Sequence, residues 1–239
     1  MFPTFVNAAT IILGTTLGLL FGNRLGDRYK HVVFTAVGAV AMIIGISMAL
    51  ESERILYMAL SLVIGGLAGT AMGIEDIILR FGEQLRKRFT ASHAHDDGTP
   101  RPFAEGFLTA SVLFCVGALA IVGAFEAGAQ GSYALLLTKS VMDGFMAILL
   151  TAAYGVGVGF SALSILVYQG GLTLLSGLLR PIVTELMLSE ISGVGGVMVM
   201  MISMNLLNIR TIKTANFLPA LIIVVLLVLV DPWIGEYML

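Results

Sequence analysis

The chain has 239 residues, of which 58% are hydrophobic and only 12% are charged, and its formal net charge is −2. A soluble domain carries roughly 25% charged residues, so about half of the usual charge is missing. The mean hydropathy is +0.98, and apolar runs recur at about the 20-residue length that a helix needs to cross a bilayer. The chain is therefore predicted to be an all-α, polytopic transmembrane bundle with the lipid bilayer as its surroundings. The runs are continuous rather than alternating, which excludes a β-barrel, and the charge balance does not favour nucleic acid as a partner.

The apolar runs predict eight spans within one transmembrane domain, 1–239, at about 4–22, 32–50, 55–73, 104–124, 133–152, 155–177, 190–207 and 215–232. The fifth and sixth spans have almost no polar break between them in Ala134–Leu179. As one helix this stretch would be about 69 Å long, roughly twice what a bilayer holds. We therefore predict that the chain turns at the glycine-rich segment that begins with Tyr154 and Gly155.

Basic residues predict the orientation of the spans. Under the eight-span count, one set of alternate loops holds Arg24, Arg28, Lys30, Arg80, Arg86, Lys87, Arg88, Arg101, Arg210 and Lys213. The opposite loops hold only Arg54 and Arg180. Since cytoplasmic loops carry an excess of Lys and Arg, both termini are expected outside.

Residues 74–103 are predicted to form a cytoplasmic amphipathic helix followed by a flexible loop. Apolar residues recur at helical spacing in Ile74–Phe89, which favours either a helix lying at the inner headgroups or an ordinary membrane-flanking helix. The loop carries His93, His95, Asp96 and Asp97, but it offers neither a rigid frame nor a fourth well-placed ligand. We expect no metal and no cofactor.

Spans one to three align with spans six to eight at an offset near 157. FTAVGAV (34–40) matches ISGVGGV (191–197), and ILGTTLGLL (12–20) matches QGGLTLLSG (169–177). Under the eight-span count the two triplets run in opposite directions, which is the inverted-topology repeat of many secondary transporters. The predicted repeats are 1–73 and 154–239, with central spans in 104–153.

Several stretches together resemble the bacterial YqgA/YdfK-like integral membrane family, a domain of unknown function. They are SVLFCVGALAIVGAFEAG (111–128), KSVMDGF (139–145), YQGGLTLL (168–175), ISGVGGVMVM (191–200), NFLPALI (216–222), GTTLGLLFGNRL (14–25) and GGLAGTAMGIED (65–76). The resemblance covers nearly the whole chain. It implies a bacterial cytoplasmic-membrane protein and brings neither a substrate nor functional residues.

Two charged residues lie inside the fifth predicted span. A charge at the bilayer centre costs at least about 2.5–3.5 kcal/mol, so Asp143 is expected to face a cavity or a partner. Lys139 precedes it by one helical turn, and the i, i+4 spacing lets the two neutralise each other. Three alternatives are open: the pair is structural, Asp143 is the titrating group of a proton or cation site, or the two residues lie near the membrane interface by chance.

Neutral polar residues and glycines mark the other candidate positions. Gln169 is hard to explain by packing, because an amide in hydrocarbon needs hydrogen-bond partners, and Ser192 is interpreted as a helix N-cap. Close helix packing is the alternative for Gly170 and Gly171 and for Ser192. Asn7 and Asn205 are further amides that could line a solute path. The predicted helix breaks are Gly170, Gly171, Gly193, Gly195 and Gly196.

No catalytic constellation appears in the sequence, so we expect no enzyme. The leading hypothesis is a secondary transporter of a small polar or ionic solute, coupled to protons or cations through Asp143 with Lys139. A channel or lipid flippase, and a scaffold or sensor that acts through the cytoplasmic loop, are the alternatives. Glycine-lined helices also allow a homo-oligomer.

Overall fold

The computed structural model describes residues 1–22, 27–89, 101–115, 118–179 and 183–238, and within these ranges the fold is helical, without strands. The helices are α1 (Phe2–Gly22), α2 (Asp27–Ala49), α3 (Ile55–Met72), α4 (Ile74–Phe89), α5 (Arg101–Cys115), α6 (Ala118–Phe125), α7 (Ala134–Tyr154), α8 (Ser161–Leu179), α9 (Glu185–Leu206) and α10 (Pro219–Met238). Single turns of π-helix and 3-10 helix cover Glu126–Gln130, Gly155–Phe160 and Thr214–Phe217. The all-α prediction is confirmed. The predicted loop with His93, His95, Asp96 and Asp97 lies outside the described residues.

By length and composition, five described stretches could cross a membrane: Phe2–Leu20, Ile55–Met72, Ala134–Leu178, Glu185–Leu206 and Thr214–Asp231. A sixth is present if α5 and α6, which meet at a bend, are counted as one span, and Phe34–Ala49 is a shorter apolar helix. The helices expose large apolar side chains such as Leu13, Val63 and Val167. Such a surface suits a lipid environment, because contiguous apolar surface of this extent is rare on soluble monomers. The count of eight spans stays a prediction.

The longest apolar stretch, Ala134–Leu178, reverses direction part-way along. α7 ends at Tyr154, and Gly155 adopts a backbone with φ +78° and ψ −157° that only glycine takes easily. Two sets of contacts with α1 establish the reversal. Thr10 bonds the carbonyl of Ser140 and Thr15 contacts Thr151, whereas Thr15 also touches Gly159 and Thr4 contacts Gln169. α1 therefore runs parallel to α7 and antiparallel to α8, and the predicted turn is present.

Close helix contacts hold the bundle together, and glycines make them possible. A Cβ on Gly45 would lie 2.8 Å from the carbonyl oxygen of Gly196, and a Cβ on Gly196 would lie 2.6 Å from that of Gly45, so α2 and α9 meet backbone to backbone. A Cβ on Gly69 would lie 1.9 Å from the carbonyl oxygen of Asn216, beside α10. Small residues serve this purpose in membrane bundles, where dispersion contacts replace the hydrophobic effect between helices.

The predicted N-cap at Ser192 and the predicted helix breaks in the sixth and seventh spans are wrong. α9 begins at Glu185, and its N-cap is Thr184, whose side chain accepts a hydrogen bond from the Met187 amide. Ser192 lies inside the helix, so it is not an N-cap. The chain stays α-helical across all five of the glycines that were predicted to break it: Gly170 and Gly171 in α8, and Gly193, Gly195 and Gly196 in α9.

Candidate functional site

Three polar side chains from three helices meet inside the bundle. Asn7 lies on α1, Asp143 on α7 and Gln169 on α8. The Nδ2 atom of Asn7 donates to Oδ2 of Asp143 at 2.9 Å and to Oε1 of Gln169 at 3.0 Å. Gln169 in turn faces Thr4, with Nε2 and Oγ1 3.4 Å apart. Asn7, Gln169 and Thr4 are fully buried and Asp143 is 7% exposed, so the network lies in the interior of the bundle.

The packing of α1 against α7 explains why these side chains meet. A Cβ on Gly14 would lie 2.2 Å from the carbonyl oxygen of Gly144, so position 14 requires a residue without a side chain for the helices to approach this closely. A Cβ on Gly144 would lie 3.0 Å from Cβ of Thr10, which is a tight contact. One turn before Gly14, Thr10 donates from Oγ1 to the Ser140 carbonyl at 2.8 Å. The close contact fixes the register of α1, and that register places Asn7 beside Asp143.

Lys139 completes the network with a charge. Its Nζ forms an ion pair and a hydrogen bond with Oδ2 of Asp143, one turn further along α7. Lys139 is 6% exposed, so both charges are removed from solvent. Removing two charges from water is costly, and their attraction offsets that cost only when the geometry is good and further hydrogen bonds are present. Asn7 supplies one such bond to the same carboxylate oxygen.

A cavity of about 160 Å³ borders the ion pair. Its polar lining residues are Lys139, Asp143, Ser192 and Glu51. The remaining lining is apolar: Ile44, Met48, Leu113, Phe114, Leu119, Ala120, Met142, Met146 and Val199. Glu51 lies in the loop between α2 and α3 and is exposed, as are Leu119 and Met142. The cavity therefore extends from the buried pair toward the protein surface.

Two buried side-chain polar atoms have no hydrogen-bond partner in the part of the chain that the structure describes. They are Oδ1 of Asn7 and Oγ of Ser192. Leaving a buried polar group unpaired costs about 1–3 kcal/mol, so each is a place where a further partner would be favourable. Asn7 lies at the ion-paired network, and Ser192 lines the cavity next to it.

The predicted pathway residues divide into two groups. Asn7, Lys139, Asp143 and Gln169 form one hydrogen-bonded network, and Ser192 borders the cavity beside it. Asn205 is elsewhere. Its side chain bonds both the carbonyl and the amide of Ile212, at 2.9 and 2.7 Å, so it ties the end of α9 to the following loop.

The sequence analysis missed two residues with buried polar contacts. Thr4 was taken as the start of an apolar span, although it contacts Gln169. Glu190 is the first residue of the predicted seventh span, but it is fully buried in α9 and accepts hydrogen bonds from Ser52 Oγ and from the amides of Glu53 and Arg54. The sequence signal for an earlier start of α9 is Thr184, a residue type favoured at the N-cap, followed by Glu185, an acid in the first turn.

Comparison with known proteins places the whole chain in one group. It is 32% identical over 227 residues, 93% of both chains, to the uncharacterized membrane protein YdfK of Bacillus subtilis (strain 168). It is 26% identical over 219 residues, 92% of both chains, to the uncharacterized protein YqgA of Escherichia coli (strain K12). No solved structure matches the chain. Residues 2–229 match the family described as "Protein of unknown function (DUF554)", and the chain belongs to this family of membrane proteins.

Proposed function

We propose that the protein is a secondary transporter that moves a small polar or ionic solute across the cell membrane, coupled to protons or cations. The observation that carries the proposal is the buried Lys139–Asp143 pair, which lines a cavity instead of being enclosed by packed side chains. Ionisable residues inside a membrane protein are costly and usually mark a solute or ion path. A purely structural pair has no need of a cavity beside it.

The proposed topology has eight spans with both termini outside the cell. Helix directions support it, because α1 runs parallel to α7 and antiparallel to α8, as spans one, five and six must. α5 runs parallel to α8: Phe103 contacts Gly157, and Ser111 bonds Ser164. Spans four and six of an eight-span protein also share one direction. With this topology the cavity opens beside Glu51, on the outer side.

The proposed inverted repeat relates spans one to three to spans six to eight. In support, each helix of the first triplet contacts its counterpart in the second: α1 meets α8, α2 meets α9, and α3 meets α10. The contacts are antiparallel, as an axis in the membrane plane requires. Gly45 and Gly196 each approach the carbonyl of the other. Asn7 and Gln169 bond each other across the first of these pairs, so the polar network lies between the two repeats.

Cysteine labelling tests the topology. In a Cys115→Ser background, intact cells expressing Glu53→Cys are expected to react with a membrane-impermeant maleimide, because this exposed residue lies in an outer loop. Cells expressing Arg210→Cys are expected to react only after lysis, because its loop is cytoplasmic. A seven-span chain that begins outside would place residue 210 on the outer side. Labelling of both variants in intact cells would therefore contradict the eight-span topology.

Asp143→Asn tests the coupling. Proteoliposomes that contain wild-type protein and an internal pH-sensitive dye are expected to show acidification of the lumen when a defined mixture of small carboxylates, amino acids, amines and sugars is added. Asp143→Asn should abolish this signal, because an amide cannot take up the proton. Asp143→Glu, which keeps a titratable group, should retain part of it. If Asp143→Asn acidifies the lumen as much as wild-type protein does, the coupling role of Asp143 is overturned. Solute flux without proton coupling would indicate a channel.

A further inference from the structure

We propose that the solute is a small monovalent anion, of the size of a short-chain carboxylate, and that it is carried together with one proton that neutralises Asp143. This inference rests on the proposed transport function and names its substrate class. It follows from three properties of the cavity: which polar groups face it, how large it is, and how its charge balances.

Two of the four polar residues that line the cavity, Ser192 and Lys139, offer hydrogen-bond donors to a ligand. Ser192 has an O–H group without a partner among the described residues, and it is 1% exposed. Lys139 carries three N–H donors, and Asp143 is the acceptor that the described residues present to it. The carboxylate oxygen of Asp143 that Lys139 contacts already accepts a second bond, from Asn7. An anion would meet an ammonium and a hydroxyl, whereas a cation would be repelled by that ammonium, beside a carboxylate whose Oδ2 already accepts two hydrogen bonds.

The size of the cavity limits the ligand. Its volume of about 160 Å³ is close to that of an engineered cavity of roughly 150 Å³ that binds benzene, a molecule of six non-hydrogen atoms. A short carboxylate such as propionate falls within this limit. The apolar part of the lining, with Met142, Met146 and Phe114, suits the hydrocarbon end of such a molecule.

Charge balance connects the anion to a proton. Without ligand, Lys139 and Asp143 neutralise each other. An anion that pairs with Lys139 would leave Asp143 as an uncompensated buried charge, which is strongly unfavourable. If a proton from the outer aqueous phase binds a carboxylate oxygen of Asp143, the ammonium is released to the anion and the site stays neutral. The Lys139–Asp143 pair then carries no net charge either when empty or together with the anion and the proton, and the cost of leaving a charge uncompensated in hydrocarbon is avoided.

The surroundings of Asp143 add few other charges. α1 and α8 contribute the neutral side chains of Asn7 and Gln169. α5 contributes the thiol of Cys115, which lies within electrostatic range of Lys139 and Asp143. Glu51 lines the cavity from its exposed loop, and Glu190 on α9 is engaged by three hydrogen bonds. Lys139 is therefore the cation that a bound anion would meet in the described part of the cavity.

Binding to the purified protein in detergent tests the inference with four solutes of similar size. They are propionate (an anion), propionamide (neutral), propylammonium (a cation) and alanine (a zwitterion). Isothermal titration calorimetry at pH 7, repeated in buffers of different ionisation enthalpy, measures both the affinity and the protons taken up. Propionate is expected to bind with about one proton, and more tightly as the pH falls. Preferred binding of any of the other three, or no propionate binding, would overturn the inference.

Three variants locate the binding. Asp143→Asn, which resembles the protonated carboxyl, should bind propionate without proton uptake and independently of pH. Ser192→Ala should weaken binding about tenfold or more, because a hydrogen bond to a charged group is lost. The matched control is Ser189→Ala on the same helix, since its hydroxyl bonds the Leu186 carbonyl. The double variant Lys139→Gln, Asp143→Asn should not bind propionate. Binding by that double variant, or equal effects of the two serine variants, would contradict the proposed site.

The failure of this inference is distinguishable from the failure of the transport proposal. If propionate does not bind while Asp143→Asn still abolishes dye acidification by the solute mixture, the anion class is wrong and the transport proposal stands. If acidification is the same in wild type and Asp143→Asn, the coupling role of Asp143 itself is wrong.

Discussion

Lys139→Gln alone is expected to lower the free energy of unfolding by about 3–5 kcal/mol, the usual cost of removing one partner of a buried ion pair. Asp143 is 7% exposed, and without Lys139 its buried negative charge would keep the hydrogen bond from the neutral amide of Asn7 but would have lost its ion-pair partner. Equilibrium unfolding in sodium dodecyl sulfate micelles, followed by circular dichroism, measures the change. Lys213→Gln is the matched control, because that lysine forms an exposed pair with Asp76 and such pairs contribute only about 0–1 kcal/mol.

The double variant Lys139→Gln, Asp143→Asn is expected to regain most of that stability. Two amides of similar shape can hydrogen-bond each other, and neither carries a charge that needs compensation. A double variant as unstable as the single one would show that the two residues do not act as a pair. A single variant with wild-type stability would show that Asp143 is not an uncompensated buried charge, and the account of the site would be wrong.

Glu190→Ala is expected to lower the free energy of unfolding by at least about 3 kcal/mol, because each of three hydrogen bonds to a charged group contributes roughly 1.5–3 kcal/mol and the effects are not fully additive. The carboxylate accepts from the Ser52 hydroxyl at 2.8 Å and from the amides of Glu53 and Arg54 at 2.7 Å. These amides lie just before α3, so Glu190 binds the start of α3 to α9. The same unfolding measurement applies.

Glu185→Ala on the same helix is the control for Glu190→Ala. Glu185 is exposed in the first turn of α9, where a carboxylate contributes about 0.3–1 kcal/mol through the helix dipole. Glu190→Gln, which keeps one carbonyl acceptor, should fall between Glu190→Ala and wild type. Equal losses in Glu185→Ala and Glu190→Ala would contradict the role of Glu190 as the anchor of α3.

Composition and apolar run length were sufficient to predict a helical membrane protein, because both depend on the solvent that surrounds each helix. The turn near Gly155 followed from length alone, since one straight helix would be too long for a bilayer. The Lys139–Asp143 pair followed from local spacing on one helix. These features depend on residues that are close in the sequence.

The connection between Asn7, Asp143 and Gln169 could not be predicted in this way. The bonded partners are 136 and 162 residues apart, and their meeting depends on how α1 packs against α7 and α8. Glu190 was missed for a related reason: a carboxylate near a predicted span boundary resembles an exposed loop residue until the amides that it binds are located. Both the Asn7 network and the bonds of Glu190 depend on how helices that are distant in the sequence pack against each other.

The glycines of α9 were misinterpreted because glycine has two different uses in a membrane helix. It weakens the helix, which favours a break, and it lets another helix approach, which favours a contact. A Cβ on Gly196 would lie 2.4 Å from the Ala49 amide nitrogen, and one on Gly193 would lie 2.6 Å from Cβ of Ser52. At both positions the glycine allows a close contact with another part of the chain, and the helix remains continuous.

The most direct test of the central claim, that the buried pair is a transport site, is proton flux through the double variant Lys139→Gln, Asp143→Asn. Its site is neutral and its fold is expected to be close to wild type in stability, so a loss of flux would not reflect unfolding. In proteoliposomes with an internal pH dye, wild-type protein is expected to acidify the lumen when the solute mixture is added. The double variant, reconstituted in equal amount, is expected to give the signal of empty liposomes. If the folded double variant acidifies the lumen as much as wild-type protein does, the claim is contradicted.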